Sequence, residues 1–447
     1  MAWTQTVTTT SSRPVFTVPS SADQGQRLIP WIRDPKAVDP QAVCPGYKAS
    51  EVKTTASGVT ANLHLAGPAC SVYGNDIENL TLLVEVQATG RFHINIQPRY
   101  LGPENETWFV LPEAFVPKPS AGGGNVSLSD NDFAFTWTND PTFGFSLTRK
   151  ATGDVLFSTN GTKLVYEDQF IEFGSPLPEN YNLYGLGEVV RGFRLGNNLT
   201  RTLFAADAGD PIDGNIYGSH PIYLDTRYFR SGGSGQPTYV SNATDASAKY
   251  QSYTHGVFLR NAHAQEVLLR PGGITWRALG GSIDLYFYSG PTAEDVTTAY
   301  QTSTVGLPAM QQYWTFGFHQ CRWGYENWTV LQDVLDAFVE ANIPVETLWT
   351  DIDYMNQYRD FENDQVRYSY REAAEFLGRL HDGGRHYVPI VDAAIYAPNP
   401  ENASDAYATY DRGVETDSFM LNPDGSLYIG AVWPGYTGRH SPEPSSP

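Results

Sequence analysis

Two aspartates, Asp351 and Asp353, stand one residue apart behind the apolar run Thr347-Leu348-Trp349, with Trp349 and Tyr354 beside them. Carboxylates among aromatic rings suit a neutral polyol, because ring C–H faces stack on indole while hydroxyls donate to charged oxygens. On a strand, neighbours at i and i+2 share a face, so these two side chains could meet. Carboxylates that close repel one another and do not stay independently poised. A retaining glycosidase needs its two carboxyls about 5–5.5 Å apart on opposite sides of the scissile bond, which a single strand end does not offer. Asp351 is therefore the candidate for ligand contact. Asp353 is read equally as a ligand contact or as a structural group that caps the following turn or pairs with a base such as Arg359.

Other candidates lie where strands end and loops begin, the usual place for reactive side chains in an α/β barrel. Trp323 follows a first strand, Asp392 and Ile395 close a third, and Trp433 with Pro434 occupies the next loop. His319 and His386 are read as framework histidines and Cys321 as a packed thiol, since nothing places a base beside it. His319 and Cys321 lack spaced companions, so no metal-ligand set is expected. The fragments "GLGE" and "AGGGN" do not form a phosphate loop, because neither joins a strand to a helix with the required lysine.

The elements that must hold these residues divide in two. From about Cys44 to Leu307 the chain is short and alternating. Phe92, Ile94 and Ile96, then Phe133, Phe135 and Trp137, then Ile283, Leu285 and Phe287 recur at every second position, as on a buried sheet face. That predicts an antiparallel β-sandwich. "TAEDVTTAYQTSTVG" reads as a connecting helix, and beyond it strands alternate with helices. "WTFGFHQ", "VETLWTDID" and "HYVPIVDAAI" read as strands. One intervening helix follows Asn327 with Leu331, Val334, Leu335, Phe338 and Val339 on one stripe. The other starts at the capping box Ser369 to Glu372 and buries Phe376, Leu377 and Leu380. Right-handed crossovers lay the three strands side by side and parallel. Parallel strands demand cover on both faces, so something must complete the sheet. The reading is a multidomain β plus α/β chain: an extension over residues 1–44, a sandwich over 45–307, the first strands and helices of a (β/α)8 barrel over 308–438 completed by another chain, and a Ser/Pro-rich terminus over 439–447.

The formal charge of −20 over 447 residues repels phosphates and anionic lipid heads, which argues against nucleic-acid and membrane-surface roles. No apolar run reaches transmembrane length, and the start lacks the basic end and apolar core of a signal peptide, so the chain reads as soluble and already processed. Export is expected from glycan acceptor triplets beginning at Asn79, Asn105, Asn125, Asn160, Asn198, Asn242, Asn327 and Asn402. Cys44 and Cys70 flank one loop, where a bridge in an oxidising compartment would contribute about 3–4 kcal/mol.

The ordered segments "YNLYGLGE", "NIYGSHPIYLD", "GFHQCRWGY", "LWTDIDYM" and "AVWPG" resemble glycoside hydrolase family 31, most closely its secreted fungal α-glucosidases. The resemblance implies a β-sandwich followed by a (β/α)8 barrel, no cofactor, and retention through a covalent glycosyl-aspartate. The family's nucleophile lies in a Trp-x-Asp-Met-Asn-Glu motif that these residues lack, so catalytic groups are expected on a C-terminal subunit of the same precursor. By resemblance Asp351 and Ile352 line the glucose subsite, Trp323, Ile395 and Trp433 form other walls, and Asp207 reaches the sugar from a sandwich loop that also holds Asp210 and Asp213. The implied ligand is glucose or a maltooligosaccharide, hydrolysed or transferred. The competing expectations are a non-catalytic carbohydrate-binding protein, or an α-xylosidase or α-glucan lyase of the same family.

Overall fold

The computed structural model describes residues 38–100, 119, 126–205, 212–230, 237–241, 243, 245–422, 424–433 and 435–436. The chain separates into two compact units, Met1–Leu307 and Pro308–Pro447.

In the first unit every strand pairing is antiparallel. A nine-stranded sheet runs from Tyr47–Thr54 at one end to Leu183–Gly185 at the other, and a five-stranded sheet runs from Leu199–Leu203 to Val165–Tyr166. A third sheet joins Phe133–Thr138, Gly144–Arg149 and Val155–Ser158. Period-two hydrophobicity sets the register. Leu82, Ile96 and Ile283 form one cross-strand row, Val84, Ile94 and Leu285 the next, and Val86, Phe92 and Phe287 a third. A one-residue slip would turn every one of these side chains to the other face. All nine are buried in one core with Phe173 and Trp276 of the second sheet and Phe145 and Phe157 of the third. Each such side chain contributes about 1.5–3 kcal/mol. Trp137 departs from the expected alternation: it is exposed and Phe135 is only half-buried, because their strand is an edge of the three-stranded sheet.

Cys44 and Cys70 are disulfide-bonded, with Cα atoms 5.0 Å apart and a sequence separation of 26. His93 lies within the large sheet, stacked on Tyr286 at 4.4 Å and bonded to Asp284 at 2.6 Å and Glu85 at 3.0 Å. Burial alone would push its pKa down, but the two carboxylates outweigh that and hold it above the ordinary value. Glu85 is held below its own ordinary value, chiefly by the bond from His93. A raised histidine contributes stability that is complete below its unfolded pKa of about 6.5 and is lost as pH rises through the folded value. The depressed Glu85 contributes stability above its unfolded pKa of about 4.3, lost as pH falls. His93→Gln should therefore lower the thermal midpoint most at about pH 5.5 and progressively less above about pH 6.5. A pH-independent difference between variant and parent would rule this out.

In the second unit, β1 (His319–Gln320), β2 (Thr347–Thr350) and β3 (His386–Pro389) are parallel and lie in that order. Helix α1 (Trp328–Glu340) connects β1 to β2, and α2 (Tyr370–Asp382) connects β2 to β3. Asn327 caps α1 by accepting from the Val330 N–H, and Ser369 caps α2 by accepting from the Glu372 N–H. Leu331 and Leu335 of α1 pack with Phe376 and Leu380 of α2 and Leu348 of β2 in one core. Val339 drops out of the expected stripe and is exposed. The expected first strand is also shorter: Tyr313–Phe316 forms a 3-10 turn that leaves Tyr313 and Phe316 exposed, and only His319 and Gln320 pair with β2. Trp314 instead stacks flat on His386, with ring centroids 3.8 Å apart. Among the described residues no helix is long and apolar enough to cross a membrane.

Candidate sugar-binding site

The C-terminal ends of the three parallel strands carry the candidate side chains. Asp351 follows β2 directly, and its Oδ1 accepts the Ile352 N–H at 2.7 Å, starting a 3-10 turn over Ile352–Tyr354. Asp353 therefore sits in that turn rather than on a strand sharing a face with Asp351. It is buried, and its Oδ2 accepts the Gly324 N–H at 2.8 Å, tying the loop after β1 to the end of β2. Arg359 is not its partner: the guanidinium pairs with Asp405 and lies 4.4 Å from the Tyr396 ring centroid.

Asp392, two residues beyond Ile390, is held through its backbone. Its N–H donates to Asp360 Oδ1 at 3.1 Å, while its Oδ2 is buried without a hydrogen-bond partner. The backbone around this contact is braced by the Tyr354 hydroxyl donating to the Ile390 carbonyl and the Tyr407 hydroxyl donating to the Asp360 carbonyl, both at 2.7 Å. Burial raises the Asp392 pKa, the Trp433 indole opposes that, and the Asp351 charge adds to it. Burial likewise raises Asp360, with the Asp392 N–H opposing and the Asp392 charge adding. Trp433 is exposed at the turn between the paired strands Ala431–Val432 and Gly435–Tyr436.

The remaining candidates are placed differently. Trp323 is exposed in the loop that Asp353 anchors, whereas Ile352 is buried in the core beneath. Ile395 is half-buried and lines a separate apolar hollow of about 200 Å³ with Phe419, Met420 and Leu427. Asp207 and Asp210 lie outside the described residues. Asp213 adopts a left-handed backbone with φ 63° and pairs with Arg191 at 2.7 Å, both as a turn residue would. Cys321 is exposed rather than packed, and burial followed by the Asp351 charge raises its pKa. His319 is a framework group: its Nδ1 accepts from the Trp349 indole at 2.9 Å and its Nε2 faces the Thr315 carbonyl at 3.1 Å. Sequence reasoning missed Asp360. It lies 32 residues from its partner, and no local pattern marks it.

Carboxyls just beyond β2 and β3 can accept hydroxyl hydrogens, and the exposed indoles of Trp323 and Trp433 can stack on a ring. Among the described residues, the cluster close enough to share a metal is Cys44, Cys70 and Glu167, where the disulfide occupies both sulfurs. Residues 308–443 match the model for the glycosyl hydrolases family 31 TIM-barrel domain. The chain is 59% identical to an alpha-glucosidase of Aspergillus oryzae over 430 residues, covering 96% of this chain and 44% of that protein. Residues 308–443 form a glycoside hydrolase family 31 domain. An alpha-glucosidase of Aspergillus niger is 60% identical over 96% of this chain, again across 44% of its own length. The chain thus spans less than half the length of these family relatives. A crystal structure of glucosidase II alpha subunit shares the family fold, with a TM-score of 0.66 at 18% identity over 88% of this chain and 47% of that one.

Proposed function

We propose that this chain supplies the glucose-binding part of a retaining α-glucosidase acting on terminal α-linked glucose in maltose and maltooligosaccharides, with transfer as a second outcome. The observation that carries the reading is the placement of Asp351 directly after β2 and of Asp392 just beyond β3, at the C-terminal ends of parallel strands in a family 31 barrel domain. Asp351 accepts from hydroxyls of the terminal ring, Trp323 and Trp433 flank it, and Ile352 backs it from the core. The nucleophile and the acid/base belong to a C-terminal part that adds the remaining strands and covers the edge of β3. The Aspergillus α-glucosidases, matched over 44% of their length, support that division. The disulfide agrees with a secreted protein that carries glycans.

The assay compares this chain alone, the C-terminal part alone, and both together on maltose, following the anomer of the released glucose. Only the combination should release glucose, with the α-anomer appearing first. Turnover by this chain alone, or β-glucose as the first product, would defeat the reading.

A further inference from the structure

The five-stranded sheet of the first unit borders a groove of about 520 Å³, in the range of about 300–1,000 Å³ that holds small ligands. Its lining contains no aromatic ring and mixes the polar side chains of Asn160, Asn198 and Arg270 with apolar surface from Pro176, Pro271 and Ile274. Two of these, Asn160 and Asn198, begin glycan acceptor triplets.

The two asparagines differ in what they offer. Asn160 is exposed, and its stem is fixed. Its backbone N–H donates to Ser158 Oγ at 3.2 Å and its Nδ2 donates to Ser146 Oγ at 3.1 Å. Its Oδ1 lies over Gly144, where an added Cβ would approach to 2.5 Å. An amide nitrogen that forms a glycosidic bond keeps one hydrogen, so the bond to Ser146 survives attachment and fixes the direction in which a sugar leaves. Asn198 is half-buried, and its Oδ1 is buried without a hydrogen-bond partner. A buried acceptor without a donor costs about 1–3 kcal/mol, and an acetamido N–H or a sugar hydroxyl would satisfy it. Arg270 stiffens the same wall, donating to the Leu199 and Leu269 carbonyls at 2.7 and 2.8 Å.

We propose that Asn160 carries an N-linked glycan whose innermost sugars lie in this groove against Asn198, and that Asn198 is itself left unmodified. Attachment joins Nδ2 to C1 of N-acetylglucosamine from a lipid-linked oligosaccharide diphosphate donor. The amide loses one proton and the lipid diphosphate leaves. The inference rests on passage through a glycosylating secretory route and is independent of the glucosidase reading.

The test uses this chain secreted from a yeast host, with glycopeptide mass mapping and timed endoglycosidase H digestion. Asn160 should be occupied and Asn198 empty. Release from Asn160 in the native protein should be at least about tenfold slower than from the exposed Asn79 or Asn402, and equal to them after denaturation. Gly273→Tyr should fill the groove and restore fast native release, since a Cβ there meets only Ser175 O, at 3.6 Å. Asn198→Ala should accelerate release as well. An occupied Asn198, an empty Asn160 beside an occupied Asn79, or native release at equal rates would overturn the proposal. A chain empty at every acceptor would overturn it together with the secretory route, leaving the glucosidase reading standing.

Discussion

Asp351→Ala in the assembled enzyme should lower kcat/KM on maltose by about 10- to 150-fold, the loss of charge-assisted hydrogen bonds worth about 1.5–3 kcal/mol. One oxygen of the carboxylate is committed to the protein, since Oδ1 accepts the Ile352 N–H. The other has no hydrogen-bond partner among the described residues and is the one available to a sugar hydroxyl. Alanine removes both the turn cap and the charge, so Asp351→Asn separates them: its amide oxygen can still cap Ile352 while the charge is gone. The asparagine variant should keep the parent's thermal midpoint and lose most of the same activity. Removing this charge should also let the Asp392 pKa fall, since Asp351 contributes to raising it. Parental kinetics in Asp351→Asn would assign Asp351 to turn formation alone.

How far such a site can be read from sequence depends on how local its determinants are. The helix stripes ending on Leu335 and Leu380 and the alternation of Leu82, Val84 and Val86 are written within a few residues, and the structure buries these side chains. The parallel order of β1, β2 and β3 follows from crossover handedness once the helices are recognised. The apolar run Tyr313–Phe316 misled because composition without alternation does not distinguish a strand from a turn. The supports of the candidate site are long-range. Asp360 meets Asp392 across 32 positions and Arg359 meets Asp405 across 46, so neither contact leaves a periodic trace. The hairpin that carries Asp360 turns through Gln357 and Tyr358, both with positive φ, and neither is the glycine or asparagine that usually announces such a turn.

The same limit hides the most consequential charges of the sandwich. In the strand Ile222–Arg230, Tyr223, Asp225, Arg227 and Phe229 are all buried on one face, so two ionised groups occupy positions that alternation assigns to apolar residues. Arg227 joins two carboxylates, donating through Nε to Asp225 Oδ2 at 2.8 Å and through Nη1 to Asp154 Oδ2 at 2.7 Å, with the Val155 carbonyl at 2.6 Å. Burial raises the Asp225 pKa while Arg227 opposes it, and burial drives the neighbouring His255 well below its ordinary value, so the other cation of the cluster is Arg149, 3.8 Å from Asp154. Arg227→Met keeps the bulk but removes the cation bonded to Asp225, and should destabilise the sandwich by about 3–5 kcal/mol. For a unit of this size that lowers the thermal midpoint by on the order of 10 °C. Adding Asp225→Asn to Arg227→Met removes the stranded charge and should recover a substantial part of the loss, as measured by calorimetry. If the double variant melts no higher than the single one, the cost lies in the lost guanidinium hydrogen bonds rather than in unpaired charge, because both proteins lack those bonds while methionine fills the arginine's volume in each.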